Sequence, residues 1–276
     1  MAINKNSTIY VTGFVALVSI VCAFIVAAAA TALSQKQNEQ IAANIQRFVL
    51  KVSDVSYTEQ NLGQAFNSNI EVKYVDRKTG NFIENLPADV QNDYDNLLVL
   101  SKFKQYTSTI PSAANTPGLK NNLIADVLKV YLVKNTATGE IEKIVLPFYG
   151  NGLWSVMYGL LAVDAKDANT ITGITYYQQG ETPGLGGEVE NPLFTNQFVG
   201  KKIYNLNGNN GNPTEPKISL VKTISAENQA YQVNALTGAT LTSNGVNAQL
   251  EFWLGNYGFA KFLENVRTGE VKLNGR

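Results

Sequence analysis

No histidine occurs anywhere in the 276 residues, and cysteine occurs once. Without imidazole there is no Ser–His–Asp or Cys–His relay, no HExxH zinc helix and no histidine general base. The single cysteine, Cys22, lies in an apolar run near the N-terminus. The rest of the chain therefore has no disulfide, thiolate metal site or iron–sulfur cluster of its own. Neither sign of charge is in excess: 22 Lys+Arg stand against 22 Asp+Glu, with no basic block. That balance argues against nucleic acid, whose binding rests on phosphate neutralisation. No residue is singled out as a catalytic acid, base or nucleophile, and no metal site is expected.

What is present is unevenly spread. Asn6 to Gln35 carry no formal charge, and Ile9 to Leu33 are almost continuously apolar. About 20 apolar residues suffice to cross the hydrocarbon core as a helix. A cleaved signal peptide is the rival reading, with small residues around Ala28–Ala32. Its apolar core is longer than the usual ~7–15 residues, so a retained anchor is preferred. Lipidation at Cys22 is excluded by the bulky Ile20 and Val21 before it. The expected organisation is a short tail (1–8), a transmembrane helix (9–33), an amphipathic stalk (34–52) and an α+β domain (53–276).

Within the stalk, Ile41, Ile45 and Phe48 share one helical stripe. A short helix is expected around Glu59–Asn67, then a strand with Ile70, Val72 and Tyr74 on one face. Asp89–Asn121 reads as a long polar surface excursion. VLKVYLVKN and IEKIVLPF form a hairpin about TATGE, and GLWSVMYGLLAV and NTITGITYYQQ read as further strands. NPLFTNQFVG is a short helix, Asn205–Pro216 an Asn/Gly-rich loop and KISLVKT a strand. TSNGVNAQLEFWLGNYGFAKFLENV gives two C-terminal helices, with Val246, Leu250 and Trp253 on one stripe. About six strands with helices gathered at the end indicate an α+β fold with a mixed or antiparallel sheet.

Three segments carry chemistry. Leu236–Val246, LTGATLTSNGV, sets Thr237, Thr240, Thr242, Ser243 and Asn244 at a predicted helix start, where free N–H groups and the dipole attract phosphate. Thr242 and Ser243 are the expected helix caps, and an ordinary capped turn is the bland alternative. Glu181–Gly187, ETPGLGG, has three glycines within four residues, a loop whose backbone can lie flat on a planar ligand or a plain surface turn. Leu185 favours the first, since an apolar residue in such a loop usually packs on something. In Tyr149–Tyr158, YGNGLWSVMY, Trp154 and Tyr158 either stack on an aromatic ring or fill the core. GxG here is too weak for a dinucleotide site.

Taken together, LTGATLTSNGV, ETPGLGG and GLWSVMY behind one N-terminal helix resemble the FMN-binding domain of the C subunit of the sodium-translocating NADH:quinone oxidoreductase. The resemblance spans essentially the whole chain; the G subunit of the Rnf complex is a related alternative, and a non-redox membrane-anchored assembly protein is another. It implies one FMN per chain, attached by a flavin transferase through a phosphoester to Thr240. It further implies FMN contacts at Thr237, Gly238, Ala239, Leu241, Thr242, Trp154, Ser155, Glu181, Thr182, Gly184, Leu185 and Gly186. The chain would relay electrons among other subunits of a respiratory complex in the bacterial inner membrane. Its N-terminus would be cytoplasmic and its domain periplasmic. Two departures stand out: Asn234 replaces the family's usual Asp, and Thr237 its usual Ser. A flavin that relays electrons requires placement and tuned electrostatics but no general base, which suits a chain without histidine.

Overall fold

The structure, a computed structural model, describes residues 7–111, 118–119, 122–207 and 213–274. Parts of two expected loops, at 112–117, 120–121 and 208–212, lie outside the described residues. The chain falls into two units, Met1–Ile45 and Gln46–Arg276.

The first unit is helical. Helix α1 runs Thr8–Val52 without a break, and its Thr8–Ser34 portion is long and apolar enough to cross a membrane. At ~1.5 Å per residue those 27 residues span about 40 Å. Thr31 and Ser34 do not interrupt it, because their hydroxyls donate back to the carbonyls of Ala27 and Thr31.

The second unit is built on one antiparallel sheet. After α2 (Leu62–Asn69) and β1 (Ile70–Asp76) come α3 (Ala88–Asn92), β2 (Thr107–Thr109) and β3 (Leu123–Ala125). The strands β4 (Val127–Lys134), β5 (Ile141–Asn151), β6 (Val156–Asp164) and β7 (Ile171–Gln178) then form a meander, with β1 pairing β4 at the edge. The order is β1-β4-β5-β6-β7, antiparallel throughout. A short helix α4 (Pro192–Thr195), a parallel pair β8 (Ser219–Val221) and β9 (Gln232–Asn234), and helices α5 (Thr240–Leu254) and α6 (Ala260–Thr268) complete it.

Both sheet faces are covered, which explains why β4 and β6 read as nearly unbroken apolar runs. Alternation along the strands puts Leu128, Val130, Leu132, Leu146, Phe148 and Leu161 into one core with Val246, Leu250, Phe262 and Leu263 of α5 and α6. On the opposite side Phe66 of α2 meets the Tyr131 ring edge-on at 6.2 Å, and Phe48 lies 5.9 Å from Tyr177. Val49 and Leu50 at the end of α1 are fully buried.

Two expectations change here. Asp89–Asn121 is not merely surface: Val90, Leu97 and Phe103 pack with Leu86 and Val127 in a second small core, and β2 pairs β3. Their irregular spacing hides them from a periodicity test. In β1, Val72 is exposed while Val75 enters the main core, so both faces of this strand are used. Strand β9, three residues long, left no pattern in the sequence.

Candidate functional site

The C-terminal ends of β5 and β7, the start of β6 and the N-terminus of α5 lie at one end of the sheet, so the three segments meet. Helix α5 begins at Thr240, not near Thr242. Its N-cap is Ala239, and no side chain caps it. Thr242 and Ser243 are therefore not caps; both face inward, 1% and 3% exposed. The Ser243 hydroxyl accepts from the Leu236 N–H at 3.1 Å and donates to the Ala239 carbonyl at 3.0 Å, closing the turn before the helix. Thr237 and Thr240 are exposed.

The Thr242 hydroxyl donates to Glu181 Oε2 at 2.7 Å. Glu181 is 5% exposed, and its carboxylate is an acceptor for the whole site. Oε2 also takes the Leu153 N–H at 3.0 Å; Oε1 takes the N–H groups of Trp154 (2.9 Å) and Ser155 (3.0 Å) and the Ser155 hydroxyl (3.2 Å). Burial alone raises this carboxyl. Hydrogen bonds from Thr242, then from the N–H groups of Trp154, Leu153 and Ser155, outweigh it and hold the group below its ordinary 4.5. A lowered folded value means this carboxylate's stabilisation is complete above pH 4.5 and lost as pH falls through the folded value. Denaturant melts of wild type and Glu181→Gln should thus differ most at neutral pH and converge as the pH falls through the folded value. An equal gap at both ends refutes the ionised carboxylate as the stabilising form.

Close approach explains the glycines. A Cβ on Gly152 would stand 2.6 Å from Glu181 Oε1, and one on Gly186 would stand 2.5 Å from Thr242 Oγ1. Gly238 has φ +75°, and Leu185 Cδ2 lies 3.2 Å from where its Cβ would be. Leu185 does pack on something: the turn that precedes α5. The Thr182 carbonyl accepts from the N–H groups of Leu185 and Gly187, and Gly184 supplies the left-handed φ of +77° that this loop needs.

Outside this frame the surface is apolar. Trp154 is 71% exposed, Leu241 59%, Leu153 45% and Leu185 43%. Trp154 sits in the turn ahead of β6 rather than in a strand or the core. Tyr158 is half-buried and stacks 5.7 Å from Tyr149. Of the residues singled out, Trp154, Leu185, Thr237, Gly238, Thr240 and Leu241 form the outer surface; Glu181, Gly186, Ala239 and Thr242 form its buried support, with Ser155 half-buried between. Asn234 ends β9, its backbone and side-chain N–H groups both donating to Gln197 Oε1, and an Asp there would lose the second bond.

Sequence reasoning missed Leu153, Gly152, Gly245 and Gln249. Gly245 sits inside α5, where a Cβ would collide with the Asn151 carbonyl. A glycine in a helix interior costs about 1 kcal/mol relative to Ala, and that cost was the available signal. Gln249, fully buried, accepts from the Tyr176 hydroxyl and donates to the Gly150 carbonyl, tying α5 to β5 and β7.

Residues 152–255 match the FMN-binding domain family. Over 261 residues the chain is 40% identical to the C subunit of the Na(+)-translocating NADH-quinone reductase of Yersinia pestis, covering 94% of this chain and 92% of that one. It is 39% identical over 276 residues to the protein of the same name from Vibrio alginolyticus, covering 98% and 100%. The solved structure of NqrC from Shewanella oneidensis superimposes with a TM-score of 0.69 at 30% identity, covering 86% of this chain and all of that one.

Proposed function

The chain belongs to the family of Na(+)-translocating NADH-quinone reductase C subunits, and from that premise we propose that it carries one FMN, esterified through its phosphate to Thr240, and relays electrons within that complex. It is a membrane-associated, FMN-binding component of a multi-subunit NADH-quinone reductase, with an antiparallel-sheet domain behind one apolar helix. The observation that carries the finer reading is the contrast among the hydroxyls of one segment. Thr242 and Ser243 are buried and hydrogen-bonded, whereas Thr240 is exposed at the first position of a helix with no side-chain cap. A phosphate held there would meet the free N–H groups and positive end of the helix dipole.

The residues fit the group. The first turn of α5 would hold the phosphate, and Leu153, Trp154, Leu185 and Leu241 offer exposed apolar surface to an isoalloxazine ring. The bound flavin would supply the redox chemistry. This chain's side chains bind, orient and exclude water, and none transfers a proton. Maturation calls for a flavin transferase, which must reach the exposed Thr240. Denaturing electrophoresis tests the covalent link, because an esterified flavin fluoresces in the band and a dissociable one does not. A dark band from a strain that expresses the transferase would sink the ester.

The helix is read as a single span of the inner membrane, with the N-terminus cytoplasmic and the domain periplasmic. Cys22, near the middle of Thr8–Ser34, should resist a polar thiol reagent in intact membranes and react after detergent denaturation. Rapid labelling of intact membranes would rule out the span.

A further inference from the structure

Glu181 has an unusual position for a carboxylate. It is buried, accepts five hydrogen bonds, and every donor is neutral. None of the ion pairs among the described residues includes it. The stretches that carry its donors and the loop it heads hold no cation: Ile144–Val163, Thr182–Gly187 and Asn228–Leu250 contain no Lys or Arg. A buried anion without a counter-ion is costly unless its hydrogen bonds are complete. Its donors come from two segments distant in sequence, the 153–155 turn and the first turn of α5, and glycines at 152 and 186 give it room. These donors occupy both carboxylate oxygens.

We propose that Glu181 is the positioning residue of this site: its carboxylate holds the Trp154 turn and the start of α5 in register, and its uncompensated charge lowers the reduction potential of a flavin bound there. The second half rests on the FMN reading above; the first does not. Glu181 neither gives nor takes an electron or proton. Its negative charge opposes the electron that an external reductant adds, and a low-dielectric surrounding lengthens its reach.

The test uses the full-length chain in detergent, with Glu181→Gln, Glu181→Asp and Thr242→Val. Without the transferase, amide hydrogen exchange at Leu153, Trp154 and Ser155 should speed up at least tenfold in Glu181→Gln, whose NH2 group sets a donor against a donor. With the transferase, potentiometric titration of Glu181→Gln should raise the reduced-to-oxidised ratio at fixed potential about tenfold, about 59 mV for one electron. Thr242→Val loses a hydrogen bond but keeps the charge, so it should loosen the turn and leave the potential in place. Glu181→Asp should restore the wild-type potential while exchange stays fast. Unchanged exchange in both Glu181→Gln and Thr242→Val overturns the positioning role. A potential that follows loosening rather than charge, shifting equally in Thr242→Val and Glu181→Gln, overturns the electrostatic one. A dark wild-type band defeats the ester alone; the exchange comparison still decides the positioning role, and titration with FMN added to the protein still decides the electrostatic one.

Discussion

Thr240→Ala should abolish in-gel flavin fluorescence in cells that express the transferase, while the protein still folds and reaches the membrane. The side chain is exposed, so its loss opens no cavity, and Ala at the first helical position is no worse for the helix than Thr. Neighbouring hydroxyls provide the contrast. Thr242→Ala removes a donor from the buried Glu181 carboxylate and leaves a small void. It should cost about 1–3 kcal/mol of stability while keeping the fluorescent band. Thr237→Ala, also at an exposed position, should change neither by much. Peptide mass spectrometry reads the same question directly: the FMN mass should sit on Thr240. Finding it on Thr237, or on no residue of 236–246, would refute the assignment.

Gly245→Ala should destabilise the protein by about 1–3 kcal/mol, the range for overpacking a close contact. The sign is what makes this informative. In an ordinary helix interior the same change stabilises by up to about 1 kcal/mol. Here the added Cβ would strike the backbone carbonyl of Asn151, with Gly152 Cα only 3.1 Å away. Neither is the flexible end of a side chain, so relief requires moving α5 off the end of β5. That movement also shifts the start of α5, which presents Thr240, so a lowered midpoint in thermal unfolding should come with weaker flavinylation. A midpoint equal to or above wild type would mean the helix and strand do not approach as described.

Much of this site was legible in the sequence, and the remainder was hidden for identifiable reasons. The N-terminal apolar helix, the β4–β5 hairpin and the two C-terminal helices follow from composition, turn chemistry and periodicity; that the three segments belong together rests on the family resemblance. Which way the side chains point was harder. Thr242 suggested a cap because hydroxyls at helix starts usually are caps. Yet the Val246, Leu250 and Trp253 stripe, continued back one turn, passes through position 242, so the pattern already placed it on the buried face. Glu181 suggested a ligand contact because it heads a glycine loop. Its hydrogen bonds run to N–H groups some 26–28 residues away in sequence, and no local pattern reports those. The 89–121 stretch concealed a small core because its apolar residues obey neither a period of two nor one of 3.6.

The buried amide of Gln249 bears on rate. It joins the middle of α5 to the Gly150 carbonyl and the Tyr176 hydroxyl, and the Trp253 indole N–H donates to the Tyr149 carbonyl at 2.6 Å one turn further on. The helix that presents Thr240 is thus fastened to the sheet by polar bonds as well as by its apolar stripe. When an electron arrives at a cofactor, every dipole free to swing toward the new charge adds to the reorganisation energy of the transfer. Dipoles already fixed in place add little. For a flavin carried on Thr240, as proposed above, a stiff mount of this kind would keep that energy small and favour exchange of electrons over distances at which a loosely held cofactor would be slow.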